Sequence, residues 1–485
     1  MKEALCVYNS LTGKKEPFIP IRKNHVGMYV CGPTLYSEPH MGNMRTFINF
    51  DLVYRYLLHK GFSVKYVRNI TDAGHITNSA GVDEDSISKA AREEQVQPLE
   101  IVYKYNVRFQ ELQRLYNLLP PTIEPTATSH MEEQIACIEK IMENGFAYEK
   151  NGSVYFNTKK YNEKHDYGVL SGRKLDELDS ATRELNAQEE KAFFADFALW
   201  KKANTGDMQI WNSPWGKGNP GWHIECTAMS TKYLGEHFDI HGGGMDLKFP
   251  HHEDEIAQNQ GCFKCSPANY WMHANMLNVN GKKMSKSLGN FFLPKEIIEG
   301  STSLFKKAYS PEVIRFFMMQ SHYRSTLDLT EAALDASEKG LKRLLEGIDL
   351  LEKIETSSTS TVNVEGMVSN YYAAMDDDFN APVLISQLFE TIKIVNQIKE
   401  NQATISEKDK LFLLEKTTVF LTEVLGIQRH IDKKDDRLGM VMEMVIAMRK
   451  SARDNKNWEL ADQIRDGLSK SGIVIKDHQE GSTWE

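Results

Sequence analysis

No part of the 485-residue chain holds the roughly 18 to 20 consecutive apolar residues of a membrane span, so no membrane partner is expected. The opening MKEALCVYNS has no apolar signal core, and no lipidation motif is visible, so the expected location is the cytoplasm. Cysteine is scarce, with six residues, and a disulfide framework is not expected in a long cytosolic chain. Metal binding, catalysis and plain burial are the alternatives. Basic charge is not in excess: the net charge is −9, so a nucleic-acid partner needs a local basic surface. RKSARDNK at 449–456 is one candidate, and a solvated helix face is its plainer alternative. No internal repeat appears.

The remaining pattern is that of an α/β protein. VGMYVCGP reads as a buried strand ending in a turn. NMRTFINFDLVYRYLLHKG has helical periodicity, with Gly61 as its stop, and FSVKYVRNIT is a second strand. Strand, helix and strand over so short a span imply a parallel sheet. From about 120 to 205 the pattern changes to a helix near 131–144 and short strands around GSVYFNT, which suggests an insertion. The sheet is predicted to resume with WHIECTAMSTKYLG, FDIHGGGMDL and YWMHANMLNV. After about 305 the chain reads as helical, interrupted by the polar IETSSTSTV at 354–362.

Three stretches carry chemistry. CGPTLYSEPHMGNMRT follows the first strand and opens the first helix, where free N–H groups and the helix dipole favour phosphate. His40 and Asn43 stand one turn apart there. GKKMSKSLGN at 281–290 is a cationic loop suited to a polyphosphate, with Lys282, Lys283 and Lys286 among small hydroxyl residues. FPHHEDEIAQ at 249–258 puts two histidines and three acids in five positions. On a helix starting near Pro250, His251 shares a face with Asp254 and Glu255, and His252 with Glu255. Thiolates from elsewhere would complete a zinc set. Cys31, Cys226 and the CFKC pair Cys262 and Cys265 compete for that role, and spacing alone favours CFKC.

HMGN resembles the first signature of class I aminoacyl-tRNA synthetases, with Asn43 in place of its final histidine, and KMSKS at 283–287 matches the second. YVCGPT, YVRNITD, PGWHIECTAMS, FDIHGGGMDLKFPHHEDEIAQ, SHYRSTLDLT and LADQIRD extend the resemblance to the cysteinyl-tRNA synthetases, over essentially the whole chain. The resemblance implies a Rossmann-like parallel-sheet catalytic domain with an insertion, then a helical bundle and a small anticodon-binding domain. The expected boundaries are 1–120 and 206–295 for the catalytic halves and 121–205 for the insertion. The stem-contact region is expected at 296–353, the bundle at 354–428 and the anticodon-binding domain at 429–485.

The resemblance also implies one zinc ion per chain, held by Cys31, Cys226, His251 and Glu255, which displaces CFKC. His252, Glu253 and Asp254 become supporting residues. Thr71, Trp222 and His241 are expected in the amino-acid pocket, with His223 nearby. His40, Asn43, Lys283 and Lys286 are expected to bind ATP, with His40, Asn43 and Lys286 catalytic and Mg2+ accompanying the nucleotide. The partners implied are cysteine, ATP and tRNA(Cys), and a monomer is expected. Trp458 is either a base-stacking residue or core. Rival readings are a ligase joining cysteine to an amino-sugar, which residues 430–485 disfavour, and a methionine, valine or leucine synthetase. A catalytically dead RNA-binding protein is a third rival, disfavoured by the intact KMSKS and the four ligand positions.

Overall fold

The apolar runs before residue 70 form strands buried toward their carboxyl ends, and the periodic stretch between them forms a helix with thirteen buried residues. The computed structural model describes residues 4–74, 85–175, 191–284, 289–302, 304–429, 436–471, 473, 475–478 and 481–484. Strand β1 (His25–Val30) connects through helix α1 (Met41–His59) to the parallel strand β2 (Ser63–Arg68). β3 (Phe238–Gly244) and β4 (Ala268–Ala274) complete a four-stranded parallel sheet of order β4-β3-β1-β2. All seven β3 residues are buried. A sheet covered on both faces loses the alternation of a half-exposed strand.

The insertion has a core of its own. Helix α2 (Met131–Glu143) packs with a five-stranded antiparallel sheet drawn from residues 147–220, around Ile138, Ile141, Val154, Phe156 and Trp200. WHIECTAMSTKYLG differs from expectation: it is helix α3 (Trp222–Leu234), not a strand. Every residue from Ile224 to Ser230 is buried, so this helix has no polar face there to show its period. Helix α4 (His251–Phe263) begins just after Pro250 and buries eleven of its thirteen residues.

Helices at Pro311–Met319, Glu331–Lys353, Val364–Asp376, Ala381–Lys399 and Glu407–Val419 follow, and the polar stretch at 354–362 separates the second from the third. Residues 1–427 form one unit and residues 428–485 a second. The second contains helices Asp436–Asp454 and Trp458–Lys470 and a hairpin of Ile475–His478 with Gly481–Trp484. Among the described residues, no helix is long and apolar enough to cross a membrane.

Candidate functional site

A cavity of about 440 Å³ opens beyond the carboxyl ends of all four parallel strands. Cys31 and Gly32 follow β1, Asn69 follows β2, Gly244 and Asp246 mark the end of β3, and Ala274 and Asn275 that of β4. His40, Asn43, Trp222, Cys226, His251 and Lys283 also line it. Ligands of open parallel sheets bind at this end. Gly32 is required by a close approach: a Cβ there would lie 1.6 Å from the Asn69 carbonyl oxygen.

Strand end and helices together gather one donor cluster. Cys31 Sγ lies 3.8 Å from Cys226 Sγ on α3 and 3.8 Å from Glu255 Oε1 on α4. His251 Nε2 lies 3.2 Å from the same Glu255 oxygen. One donor atom each from Cys31, Cys226, His251 and Glu255 falls within 4.8 Å of all the others. Tetrahedral zinc, with bonds of about 2.3 Å to sulfur and about 2.1 Å to nitrogen and oxygen, has S···S edges of about 3.8 Å. Its S···O and N···O edges are about 3.6 and about 3.4 Å. The donor set and its spacing therefore fit zinc.

Cys31, His241, His252 and Glu255 form a second grouping of the same size. The contacts its two histidines make are shorter than those edges and read as hydrogen bonds. His241 Nε2 is 2.8 Å from Glu255 Oε2, and His252 Nε2 is 3.3 Å from Cys31 Sγ. His252 Nδ1 meets His273 Nε2 at 2.9 Å, and His273 Nδ1 meets Ser10 Oγ at 2.8 Å. One tautomer assignment satisfies the chain: Ser10 donates to His273, His273 to His252, and His252 to the Cys31 sulfur.

Burial, with the nearby Cys226, pushes the Cys31 thiol well above its usual range. Zinc would bind the thiolates and release their protons. Burial likewise lowers His273 to about 3, so its ring is neutral in the folded protein at neutral pH. The unfolded chain takes up this proton near pH 6.5, and the folded chain refuses it until about 3. Stability from His273 is thus complete above pH 6.5 and falls on acidification, by about 2 kcal/mol at pH 5. His273→Gln should flatten the loss of melting temperature between pH 7 and 5, and an unchanged slope would contradict this origin.

His40 caps α1 with its side chain. Its Nδ1 accepts from the backbone N–H groups of Gly42 (3.1 Å) and Asn43 (3.3 Å). The neutral ring then carries its proton on Nε2. Asn43 Oδ1 in turn accepts from His40 N at 3.1 Å, so the amide's remaining polar group is its NH2 donor. Both residues line the cavity. Asn43 thus offers an N–H donor where the family signature has histidine. Lys283 lies exposed at the cavity edge, and Lys286 lies outside the described residues.

The remaining expected pocket residues divide. Trp222 lines the cavity, its ring 4.4 Å from that of His251. Thr71 and His241 are buried behind the lining residues. Thr71 Oγ1 donates to Glu225 Oε2 at 2.9 Å, and His241 stacks on Trp271 while contacting Glu255. Burial pushes the Glu225 carboxyl well above its usual range. CFKC is not a pair: Cys262 Sγ lies 3.3 Å from Cys137 Sγ on α2, and Cys265 Sγ lies 3.4 Å from the Glu236 carbonyl oxygen.

Sequence reasoning missed Asn69 and Asp246. Asn69 Oδ1 accepts from Gly32 N at 2.9 Å and lies 3.8 Å from Cys226 Sγ, tying both cysteine-bearing segments together. Asp246 is a carboxylate in the wall of the same cavity. Its signal was available, because GGGMDL ends a strand on the ligand-binding side of the sheet.

The cavity, its helix-capping HMGN and the parallel sheet define a class I aminoacyl-tRNA synthetase. The model of the tRNA synthetases class I (C) catalytic domain matches residues 17–339, and a DALR domain matches 370–429. A Mycobacterium tuberculosis methionyl-tRNA synthetase bound by methionyl-adenylate shares the fold, with a TM-score of 0.61 at 12% identity over 83% of this chain and 92% of that one. The chain belongs more narrowly to the cysteine–tRNA ligase family. It is 49% identical to the Cysteine--tRNA ligase of Bacteroides fragilis over 100% of this chain and 99% of the relative. The same-named protein of Porphyromonas gingivalis is 47% identical over the whole of both chains. Residues 438–484 match the Cysteinyl-tRNA ligase anticodon binding domain.

Proposed function

We propose that the chain activates cysteine with ATP to cysteinyl-adenylate and transfers it to the 3′ end of tRNA(Cys). The reading rests on one observation above all: three of the four zinc-compatible donors line the same cavity as His40 and Asn43. A zinc held by Cys31, Cys226, His251 and Glu255 would supply a soft Lewis acid that favours a thiolate over the near-isosteric hydroxyl of serine.

The other steps belong to the chain's own groups. His40 Nε2–H and the Asn43 amide donate to the phosphates of ATP at the N-terminus of α1, and Lys283 and Lys286 approach the pyrophosphate portion. Mg2+ accompanies the nucleotide as part of the substrate. The cysteine carboxylate attacks the α-phosphate and pyrophosphate leaves; the terminal ribose hydroxyl of tRNA then attacks the cysteinyl carbonyl, loses its proton, and forms the ester as AMP leaves. No covalent enzyme intermediate is needed, so positioning and charge stabilisation carry the rate. Asp246, a carboxylate in the cavity wall, would receive the substrate ammonium group.

ATP–pyrophosphate exchange should depend on cysteine and be far weaker with serine, and absence of cysteine-dependent exchange would refute the reading. Transfer to a tRNA transcript separates this activity from an amino-sugar ligase. Trp458 is 59% exposed, which suits stacking on an unpaired base rather than core packing. Trp458→Ala should raise KM for tRNA by about 10-fold, from about 1–3 kcal/mol of stacking, and leave exchange unchanged. An equal loss in both assays would contradict a role confined to tRNA.

A further inference from the structure

Two of the three acids of FPHHEDEIAQ are held by the insertion, and the third is not. Glu255 belongs to the donor cluster described above. Glu253 and Asp254 are buried at 1% exposure each, yet neither lines the cavity. Glu253 Oε2 accepts from Ser171 N at 2.8 Å, and its Oε1 accepts from Leu170 N at 3.3 Å. Asp254 Oδ1 accepts from Tyr167 Oη at 2.6 Å. All these donors come from one turn of the insertion.

That turn is built for the task. Gly168 has φ +110°, and a Cβ on it would lie 1.8 Å from the Arg173 carbonyl oxygen, so only glycine closes the turn this way. Gly172 N donates to Gly168 O at 2.8 Å, which leaves the intervening N–H groups of Leu170 and Ser171 directed at Glu253. Arg173 places its guanidinium 4.3 Å from the centre of the Phe249 ring, two residues before α4. The insertion therefore grips the start of α4 at Phe249, Glu253 and Asp254.

The grip reaches the donor cluster through Asp254. Its second oxygen, Oδ2, meets His223 Nδ1 at 2.5 Å. The His223 ring packs edge-on against His251 at 4.9 Å, and the Trp222 ring lies 4.4 Å from His251 on another side. A phenol on the insertion thus fixes a carboxylate, the carboxylate fixes an imidazole, and the imidazole confines the ring of His251. Partners one layer out from a metal set ligand orientation, and losing them typically weakens metal binding or activity by about 10–100-fold.

We infer that the turn at residues 167–173 positions the zinc-binding face of α4, with Tyr167, Glu253, Asp254 and His223 as positioning residues for His251 and Glu255. Insertion and catalytic sheet are joined where substrate selection is set, so a change in the insertion would alter the metal site without touching substrate. This inference rests on the zinc reading proposed above.

The test uses the full chain as wild type, Tyr167→Phe, Glu253→Gln and Arg173→Ala. Tyr167→Phe removes one hydroxyl and keeps the ring. Zinc transfer to a chelator should quicken by about 10-fold or more in Tyr167→Phe and Glu253→Gln. In cobalt-substituted protein, the visible bands should shift in position or intensity, a signature that lowered overall stability alone would not give. KM for cysteine should rise more than KM for ATP. Wild-type zinc retention and unchanged cobalt spectra in all three variants would overturn the inference while leaving the zinc reading intact. Failure of the wild-type protein to bind zinc stoichiometrically would instead strike at the reading beneath it.

Discussion

Cys226→Ser should leave the purified protein without stoichiometric zinc and abolish its preference for cysteine. The substitution changes one atom in a fully buried α3 position, so the loss would come from the donor and not from the packing. Cys226 Sγ is 3.8 Å from Cys31 Sγ, and replacing it leaves one thiolate, one imidazole and one carboxylate. Softness of the donor set falls, and with it the affinity for zinc over harder ions. Several kcal/mol of charge stabilisation at the substrate sulfur would go with the metal. Cysteine-dependent exchange should therefore drop by about 10²–10³-fold or more. Elemental analysis and exchange with cysteine and serine check both halves. Full zinc content in the variant would remove Cys226 from the ligand set.

His40→Ala should show the opposite division, with zinc retained and adenylation lost. The side chain serves two purposes. It accepts the first free N–H groups of α1, through Gly42 N at 3.1 Å and Asn43 N at 3.3 Å. Losing a helix cap costs about 1 kcal/mol of stability. In the role proposed for it, it would also direct an N–H donor at charge that develops on the phosphates, and removing one such donor costs about 10²–10³-fold in rate. Asn43→His should be tolerated far better than Asn43→Ala, because histidine restores an N–H donor of the family signature. Single-turnover adenylate formation, with metal content measured on the same sample, separates these outcomes. A variant His40→Ala that forms adenylate at the wild-type rate would contradict the role.

The βαβ unit and the buried strands β1 to β4 were legible because burial on both faces leaves near-continuous apolar runs bounded by turn residues. Helix α3 was not. Its residues Ile224 to Ser230 are covered on every side, so the periodicity that reveals a surface helix is missing. The position of Cys226 near the active end of the sheet was nevertheless anticipated from its resemblance to known sequences. Local spacing misled at CFKC for a related reason. Lys264 adopts a left-handed conformation that ends α4 between the two cysteines, and Cys262 turns instead to Cys137, 125 residues away in sequence. Which thiols meet is set by packing of helices, and residue spacing does not encode it.

FPHHEDEIAQ shows the same limit at higher resolution. Helical spacing grouped His251, Asp254 and Glu255 on one face. It could not show that Asp254 is committed to Tyr167 and His223, nor that His252 contacts the Cys31 sulfur. Asn43 is the converse case. It departs from the family signature, yet its amide takes part in a reciprocal helix cap with His40 and still presents a donor on the cavity side.

The central claim, that zinc selects cysteine through its sulfur, can be read from X-ray absorption at the zinc edge, with and without bound cysteine. The free enzyme should show two sulfur and two nitrogen or oxygen neighbours, with sulfurs at about 2.3 Å. Adding cysteine should bring a third sulfur into that shell, and serine should not change it. A shell that stays at two sulfurs when cysteine is bound would contradict the account.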